Sequence, residues 1–371
     1  MPEVPAPPRL RPHRRSLLAA LGASGAAAVG LSFGLDGCAE KVRRGTNGEE
    51  AKLNFYNWDT YIGKDTLKEF RDATGVDVNM SLFANNDELF AKLRAGNPGF
   101  DVIVPTNEFV TRLRVADLIQ PLDHGKIPNF RNLLPEFQSV VFDPGRRYSI
   151  PYTWLVLGIG YRKSKMDGVP DSWKWLFDSD RYKGRIGLFD EADDLVRLAA
   201  KYLGHSVRDV PESLLPVIEA MYVRQKPNVR VFHEDNGQDL LLSGDIDIVL
   251  EYNGDIAQVM QEDDDLAFVV PKEGTLINSD CLCIPKGAPR PDNAHRFINF
   301  LLDAKVGAEI SNTIMYPTPN GAALALMPDS YRQNTAIFPP KDRMAVSEYG
   351  DFEGVERTHL FDELLTRVKA A

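Results

Sequence analysis

Strand-like and helix-like segments alternate along most of this 371-residue chain, and this alternation constrains the fold more than any other feature. Lys52–Tyr56 is strand-like, Thr66–Ala73 carries apolar residues at a helical spacing, and Val76–Met80 is strand-like again. The predicted elements that follow are a helix at Asp87–Ala95, a strand at Asp101–Val104 and a helix through Phe109–Arg114. This order predicts an α/β fold in which helices connect the strands of a sheet.

A second α/β run begins with the long apolar strand predicted at Leu155–Tyr161. The further predicted strands are Arg185–Leu188, Val229–Phe232, Ile246–Leu250, Ala267–Val270 and Asp280–Ile284. The predicted helices are Leu195–Tyr202, Leu214–Arg224, Asp239–Ser243 and Asn293–Leu302. Two α/β units in one chain predict a cleft between them, and clefts at domain interfaces are preferred sites for small molecules.

Residues 1–37 are predicted to be an export signal rather than part of the fold. Arg14 and Arg15 precede an uncharged run from Leu17 to Leu35 that is rich in Ala and Gly. This is the plan of a bacterial export signal, and the arginine pair favours the twin-arginine route. A transmembrane anchor is the alternative, because the run is near the minimum length for a membrane span.

The segment Leu35-Asp36-Gly37-Cys38 resembles a lipoprotein box, in which Cys38 would be lipidated and become the mature N-terminus. Asp36 departs from the usual pattern, and soluble release into the periplasm is the alternative. Residues 38–51 are predicted to form a flexible tether, because the stretch is charged and contains glycine.

The charge of the chain argues against nucleic acid or an anionic membrane as a partner. The formal charge is −10, and it becomes −12 without residues 1–37, which hold four Arg and two acids. Both of those partners require a basic surface, whereas an acidic chain is compatible with a cationic ligand. Cys281 and Cys283 have no second Cys or His cluster to complete a metal site, so we predict two small buried residues and expect no metal or cofactor.

Five further segments carry a family resemblance when they are taken in order: Phe55–Trp58, Asp101–Pro105, Tyr148–Tyr152, Ile298–Leu302 and Tyr316–Asn320. Together they resemble the spermidine/putrescine-binding receptors of bacterial ABC importers. The resemblance implies a non-enzymatic, monomeric receptor with two α/β lobes, a two-strand hinge and a ligand cleft, which hands a polyamine to a membrane permease. It also implies the lobe boundaries, with lobe one at 52–155 plus 279–323 and lobe two at 156–278 plus 324–371.

The resemblance implies that the rings of Trp58, Tyr61, Tyr252 and Tyr316 flank the ligand. Aromatic faces bury methylene groups at about 25 cal/mol per Å² and attract cations. The alternative for Trp58 and Tyr61 is a pair of ordinary core aromatics at a strand end. Tyr252 replaces a tryptophan of the family and keeps a ring, whereas Asn278 replaces another tryptophan and loses one.

Carboxylates would bind the ammonium ends of such a ligand. Glu191 and Asp194 match an acid pair of the family, and their spacing places both on one side of a predicted helix start. A solvated helix N-terminus is the alternative, and Asp193 is expected to face solvent. Asp280 matches another acid of the family and precedes a buried strand, where a carboxylate without a cation would be costly.

Three positions of the implied site leave their roles open. Asp59 stands where the family commonly has a small hydroxyl residue, and it is either an extra carboxylate or a cap for the following helix. Thr106 matches a hydroxyl donor. Glu108 aligns with an aromatic position, and it is either a pocket acid or an exposed acid of a first helical turn. A diamine, a triamine and a zwitterion such as γ-aminobutyrate or arginine therefore remain open as ligands.

Other functions have weaker support in the sequence. Acid pairs are compatible with glycoside hydrolysis, but no acyl-hydrolase, phosphate-loop or dinucleotide motif is present. Tyr252 and Tyr316 are compatible with an Fe(III) receptor, although no adjacent tyrosine pair exists. A sensor in place of a transport receptor is equally compatible with the fold.

Overall fold

The computed structural model describes Arg44 and residues 48–371 other than Asp235. The predicted export signal at 1–37 and the predicted lipidation site Cys38 lie outside the described residues. No helix in the described part of the chain is long and apolar enough to cross a membrane.

The end of the predicted tether differs from the expectation of flexibility. The backbone N–H groups of Asp292 and Asn293 donate hydrogen bonds of 3.0 and 2.8 Å to the carboxylate of Glu49. Arg290 donates to Glu50 at 3.1 Å. A carboxylate is stabilised by the N–H groups that open a helix, so Glu49 and Glu50 are docked against the folded chain.

The strands of the described residues are β1 Lys52–Asn57, β2 Asp77–Leu82, β3 Val102–Ile103, β4 Ile150–Pro151, β5 Leu155–Arg162, β6 Ile186–Phe189, β7 Val229–His233, β8 Ile248–Tyr252, β9 Leu266–Val269, β10 Leu276–Asn278, β11 Cys281–Leu282 and β12 Glu348–Tyr349.

The α-helices of the same residues are α1 Thr66–Thr74, α2 Asn86–Arg94, α3 Asn107–Val115, α4 Lys174–Phe177, α5 Ala192–Tyr202, α6 Leu215–Gln225, α7 Gly237–Ser243, α8 Asn253–Val259, α9 Pro291–Leu301, α10 Ala304–Ile314, α11 Gly321–Leu324, α12 Asp329–Arg332, α13 Lys341–Met344 and α14 Val355–Ala370. Short 3-10 turns lie at His124–Lys126, Pro128–Asn132, Pro135–Phe137, Pro144–Arg146, Lys163–Lys165, Glu212–Leu214 and Lys226–Asn228.

The predicted order of elements is confirmed, and local signals explain several of their ends. Helix α1 ends at Gly75, whose φ of 75° is the left-handed conformation that glycine adopts without strain. The side chain of Asn85 accepts the N–H of Glu88 and caps α2. The strand predicted at Asp280–Ile284 is divided between partners: Cys281–Leu282 forms β11 and pairs with β4, whereas Asp280 and Cys283 form isolated bridges with Thr106 and Ile103.

The strands of the described residues form three sheets, and the two smaller sheets share an apolar cluster. Parallel strands β2, β1 and β3 form a three-stranded sheet, and β4 pairs with β11 in a two-stranded one. A seven-stranded sheet has the order β12-β10-β5-β8-β6-β7, with β9 also paired to β5. Apolar side chains of 53–155 and 281–316 pack around the smaller sheets, whereas those of 156–276 and 324–368 pack around the larger one.

The chain passes between the two sheet systems at two neighbouring positions. Strand β4 continues through residues 152–154 into β5, and β10 continues through residues 279–280 into β11. Pro151 pairs with Cys281 on one side of this crossing, and Leu155 pairs with Asn278 on the other. The two passages therefore form an antiparallel pair, and this pair positions the candidate site.

Candidate functional site

The carboxylate of Asp280 lies at the crossing between the sheets and is held by a tyrosine. The hydroxyl of Tyr61 donates a 2.8 Å hydrogen bond to Asp280 and lies 2.5 Å from the hydroxyl of Thr153. All three side chains are buried, and Asp280 is only 5% exposed. Burial and the charge of Asp280 raise the pKa of Tyr61 well above its usual range, so this tyrosine remains a neutral hydrogen-bond donor.

Tyr316 extends this cluster with a second ring. Its ring centroid lies 5.3 Å from that of Tyr61 in an edge-on arrangement, and its hydroxyl donates a 2.7 Å bond to Asp255. Gly254 makes the close approach of Tyr316 possible, because a Cβ at this position would lie 2.4 Å from the ring. Tyr61, Tyr316 and Asp280 therefore combine apolar ring surface with a buried carboxylate.

Tyr252 and Asp194 form a second aromatic–carboxylate pair. Tyr252 ends β8, contacts both apolar cores, and donates a 3.3 Å hydrogen bond to Asp194 in the first turn of α5. Burial and the charge of Asp193 raise the pKa of Asp194 to about 7, although the bond from Tyr252 and the charge of Arg197 oppose the shift. Asp194 therefore takes up a proton at a higher pH than an ordinary aspartate does.

Glu108 lies among charged side chains of α5 rather than in solvent. Its Oε1 lies 3.6 Å from Nε of Arg197, which also donates a 2.5 Å hydrogen bond to Asp193. Burial raises the pKa of Glu108 well above its usual range; the charge of Asp193 adds to this, and that of Arg197 opposes it. Glu108 is thus a first-turn acid of α3 that is only partly exposed, and Asp193 keeps a 25% exposed side chain while it binds Arg197.

Trp58 follows β1 and Thr106 lies after β3, so both are at the carboxyl end of the three-stranded sheet. Nε1 of Trp58 donates a 2.9 Å hydrogen bond to the carbonyl of Val104, and its ring lies 4.3 Å from that of Phe83. Thr106 precedes α3, and its backbone forms an isolated bridge with Asp280. The structure thus pairs the backbone of Thr106 with that of Asp280 and leaves the Trp58 ring half-buried.

Asp59 and Glu191 differ from the other predicted residues because both are exposed. Asp59 accepts the N–H of Thr60, whose φ of 49° marks a tight turn, and it does not cap α1, because the capping position of α1 is Asp65. The helix-cap alternative for Asp59 is therefore wrong. Glu191 is the residue before α5, while Asp194 is buried one turn later, so the two predicted acids do not share one environment.

Asn278 is buried at the end of β10, where it pairs with Leu155 of β5. The next residue, Ser279, donates its N–H to the side chain of Asn107 at 3.0 Å, and Asn107 in turn donates to the carbonyl of Gly350 at 3.0 Å. Asn278 is thus part of the crossing itself, and the C-terminal segment contacts the first turn of α3.

Four residues of the candidate site were missed by the sequence reasoning: Thr153, Arg197, Asp255 and Asn107. The helical spacing of Asp193 and Arg197 was the one signal available in advance, because side chains four residues apart on a helix contact each other. The other three depend on long-range packing and leave no local pattern.

Cys281 and Cys283 are buried and free, as predicted. Burial raises the pKa of both thiols, so neither is a reactive group. No cluster of three or more His, Cys, Asp or Glu side chains that could hold a metal ion occurs in the part of the chain that the structure describes.

Comparison with known proteins gives a consistent family assignment. Residues 65–339 match the family model described as bacterial extracellular solute-binding protein. The chain is 33% identical over 325 residues to the spermidine/putrescine-binding periplasmic protein of Salmonella typhimurium, covering 86% of this chain and 91% of that protein. It is 32% identical over 310 residues to the putrescine-binding periplasmic protein SpuD of Pseudomonas aeruginosa, covering 79% of this chain and 84% of that protein.

A solved structure with the same fold is that of the spermidine/putrescine ABC transporter substrate-binding protein PotD of Streptococcus pneumoniae. Its TM-score is 0.78 at 29% identity, and the match covers 86% of this chain and 98% of that chain. The two sheet systems and the paired crossing between them are therefore the two α/β lobes and the hinge of a periplasmic-binding-protein fold.

Proposed function

The chain belongs to the bacterial extracellular solute-binding proteins, and from this premise we propose that it is the receptor of an ABC importer for a polyamine of the putrescine or spermidine type. The ligand would bind between the two lobes and pass to a membrane permease, with no covalent bond made or broken. The proposal is supported by the relatives that carry putrescine and spermidine in their names.

The observation that carries the proposal is the buried Asp280 carboxylate at the hinge, next to the rings of Tyr61 and Tyr316. A carboxylate accepts charge-assisted hydrogen bonds from an ammonium group, and such bonds are among the strong ones in proteins. The neighbouring rings suit the methylene chain between two ammonium groups, because they bury apolar surface and attract positive charge at their faces.

A second point of attachment lies on the other lobe, at Asp194 and Tyr252. Since Asp194 belongs to α5 and Asp280 to the hinge, a ligand that contacts both would connect the lobes. Such a ligand binds the closed arrangement of a hinged receptor more tightly than the open one, so it shifts the receptor toward closure. We place lobe one at 52–155 plus 279–323 and lobe two at 156–278 plus 324–371, and expect a monomer.

The proposed location follows from the family and from the N-terminal sequence. Residues 1–37 would direct export to the periplasm, and Cys38 would carry a lipid that keeps the receptor at the outer face of the cytoplasmic membrane. Mass spectrometry of the membrane-extracted protein tests this, because a lipidated Cys38 adds the mass of the acyl chains. An unmodified chain recovered in the soluble periplasmic fraction would contradict lipidation and leave the receptor function intact.

Thermal-shift titration of residues 39–371 tests the ligand class directly, since residues 42–371 form one compact unit. Putrescine, cadaverine, spermidine, spermine, γ-aminobutyrate, arginine and Fe(III) are each titrated against the same protein. A ligand that binds the folded state raises the melting temperature with the logarithm of its excess over Kd. We expect a saturable shift with at least one polyamine, and that shift is smaller in Asp280→Asn.

Two other results would overturn the proposal in different ways. A shift with γ-aminobutyrate or arginine alone would keep the receptor fold and replace the ligand by a zwitterion. This result would be consistent with Glu108 and Asn278, which occupy positions where the family resemblance implies aromatic side chains. A flat response to every compound would remove the polyamine assignment altogether.

A further inference from the structure

Residues 348–353 form a C-terminal strap that contacts both lobes, although the chain does not cross between the lobes within it. The strap begins with β12, which pairs in parallel with β10 at the edge of the larger sheet. Glu348 forms an ion pair with Lys201, and Glu353 at the other end accepts a 2.8 Å hydrogen bond from Arg197. The strap is therefore fixed to lobe two at both of its ends.

The middle of the strap is bound by helix α3, which belongs to lobe one. Nδ2 of Asn107 donates a 3.0 Å hydrogen bond to the carbonyl of Gly350. The hydroxyl of Thr111, one turn further along α3, donates a 2.8 Å bond to the carboxylate of Asp351. The fit is close, because a Cβ at Gly350 would lie 2.4 Å from Oε1 of Glu108. The strap thus carries side-chain contacts of lobe one on a segment that lobe two holds.

The position of these contacts indicates which arrangement of the lobes they stabilise. Helix α3 begins after the carboxyl end of β3, and α5 begins after the carboxyl end of β6. The crevice of an open α/β sheet lies outside the carboxyl ends of its strands, so both helices begin on the cleft side of their lobes. Glu108 of α3 and Arg197 of α5 lie 3.6 Å apart there. Because hinge opening moves the two lobes apart, these contacts belong to the closed arrangement.

We propose that the strap is a latch that stabilises the closed arrangement of the unliganded protein, with Thr111 and Asp351 as its principal pair. This inference goes beyond the proposed function, because it concerns the protein before any ligand binds. The affinity measured for a ligand is the affinity of the closed form multiplied by the fraction of receptor that is closed. Breaking the latch lowers that fraction, and it therefore weakens the binding of every ligand by the same factor.

Thr111→Val tests the latch, because it removes the bond between the lobes and leaves the Asp351 carboxylate a 2.8 Å bond from the backbone N–H of Phe352. The affinities of putrescine, cadaverine and spermidine are measured by isothermal titration calorimetry with residues 39–371. We expect all three to fall by the same factor, about three- to tenfold, which is the effect of one hydrogen bond of ordinary net strength. A loss confined to one amine would place Thr111 beside the ligand and overturn the latch. Unchanged affinities would overturn it as well.

Thr66→Val is the matched control, because it breaks the same type of bond inside one lobe. The hydroxyl of Thr66 in α1 donates a 2.7 Å bond to the carboxylate of Glu309 in α10, and both helices belong to lobe one. We expect this variant to lose stability and to keep the affinities of the unaltered chain. Affinities that fall equally in Thr66→Val and Thr111→Val would show that binding follows general stability, and this result would overturn the latch.

A double-mutant cycle isolates the pair itself. Asp351→Ala removes the acceptor of the Thr111 bond, and Thr111→Val/Asp351→Ala completes the cycle. We expect the affinity losses of the two single variants not to add, because either change already breaks the bond between the lobes. Additive losses would overturn the role of this pair.

Small-angle X-ray scattering of the unliganded protein tests the latch without any ligand. We expect a larger radius of gyration for Thr111→Val than for the unaltered chain, because separated lobes extend further from their common centre, and the radius of Thr66→Val should match that of the unaltered chain. Equal radii for Thr111→Val and the unaltered chain would overturn the latch. If the unaltered chain binds none of the amines, the proposed function fails, and the scattering alone decides whether the latch stands.

Discussion

Tyr61 and Asp280 lie 219 residues apart in sequence and are joined by a 2.8 Å hydrogen bond at the hinge. The tyrosine comes from the loop after the first strand, and the aspartate lies on the second passage between the lobes. Because Thr153 of the first passage also contacts the Tyr61 hydroxyl, one side chain of lobe one meets both hinge segments. The Tyr61 hydroxyl thus holds the Asp280 carboxylate in place and also connects the two hinge segments.

Removing the Tyr61 hydroxyl is expected to weaken both folding and binding. Tyr61→Phe removes one buried donor to Asp280, which costs about 1–3 kcal/mol of unfolding free energy. We expect polyamine affinity to fall as well, because the Asp280 carboxylate loses its fixed orientation. Denaturant unfolding and calorimetry measure the two effects separately.

Tyr222→Phe is the matched control for that experiment. Tyr222 is also buried and donates a 2.7 Å bond to the carbonyl of Leu195, within the core of lobe two. We expect a similar loss of stability with no change in affinity. Affinity that falls equally in both variants would indicate that binding follows general stability rather than the Tyr61–Asp280 contact.

The raised pKa of Asp194 predicts that ligand affinity rises with pH. With a pKa of about 7, the carboxyl is mostly neutral at pH 6 and mostly ionised at pH 8. An ammonium ligand binds the ionised form, so we expect the affinity to increase by up to about tenfold between these pH values and protons to be released on binding. Calorimetry in buffers of different ionisation enthalpy counts those protons, and a pH-independent affinity would contradict the assignment.

The titration of Asp194 also predicts how stability depends on pH: the free energy of unfolding falls with pH, whereas the ligand affinity rises. Between the usual aspartate pKa and about 7, the folded chain holds a proton on Asp194 that the unfolded chain has lost. The free energy of unfolding therefore falls as pH rises through this window, by at most about 4 kcal/mol for the isolated group. Asp194→Asn should flatten this part of the profile in the unliganded protein. A profile unchanged by Asp194→Asn would show that the carboxyl titrates normally.

Gly254 is expected to be essential for the position of the Tyr316 ring. The added methyl of Gly254→Ala would lie 2.4 Å from that ring, so either the ring or the start of α8 must move. We expect polyamine affinity to fall by about tenfold or more together with a loss of stability of about 1–3 kcal/mol.

Gly158→Ala is the control for overpacking alone. Its added methyl would lie 2.2 Å from the ring of Phe268 within the larger sheet. The expected result is lower stability with unchanged affinity, as measured by thermal melts and calorimetry. Retained affinity in Gly254→Ala would mean that the Tyr316 ring does not contact the ligand.

The buried pair of Asp101 and Arg290 is expected to serve stability alone. Arg290 donates a 2.7 Å bond to Asp101, whose side chain is fully buried. Removing one partner of a buried pair costs about 3–5 kcal/mol, so Arg290→Met should lower the melting temperature strongly. At a temperature where this variant remains folded, polyamine affinity should equal that of the unaltered chain. A specific loss of affinity would place this pair in the binding mechanism instead.

Much of the fold followed from local patterns, because helix and strand periodicities and capping signals act within a few residues. Helix α1, the long strand β5 and the amphipathic helix α9 were all predicted from such signals. The predicted strand at Asp280–Ile284 is divided between two sets of partners, because β11 pairs with β4 while its flanking residues form bridges beside β3. Strand β12 and helix α14 were not predicted, because their packing partners lie far away in sequence.

The acidic run at 190–194 shows the limit of reasoning from residue types. Its members look alike in sequence, yet Glu191 is exposed, Asp193 binds Arg197, and Asp194 is buried against Tyr252. A helix turns about 100° per residue, so neighbouring acids face different surroundings, and only the packed lobes determine what those surroundings are.

The sequence by itself determined the α/β class, the family resemblance and the residue types of an amine site, because periodicity and motif order are properties of the linear chain. The tertiary structure alone decided which of those residues are brought together. Asp280 meets Tyr61 across 219 residues, and Arg197 meets Glu353 across 156. Contacts over such separations depend on the closure of long loops and the packing of whole lobes, and no local pattern encodes them.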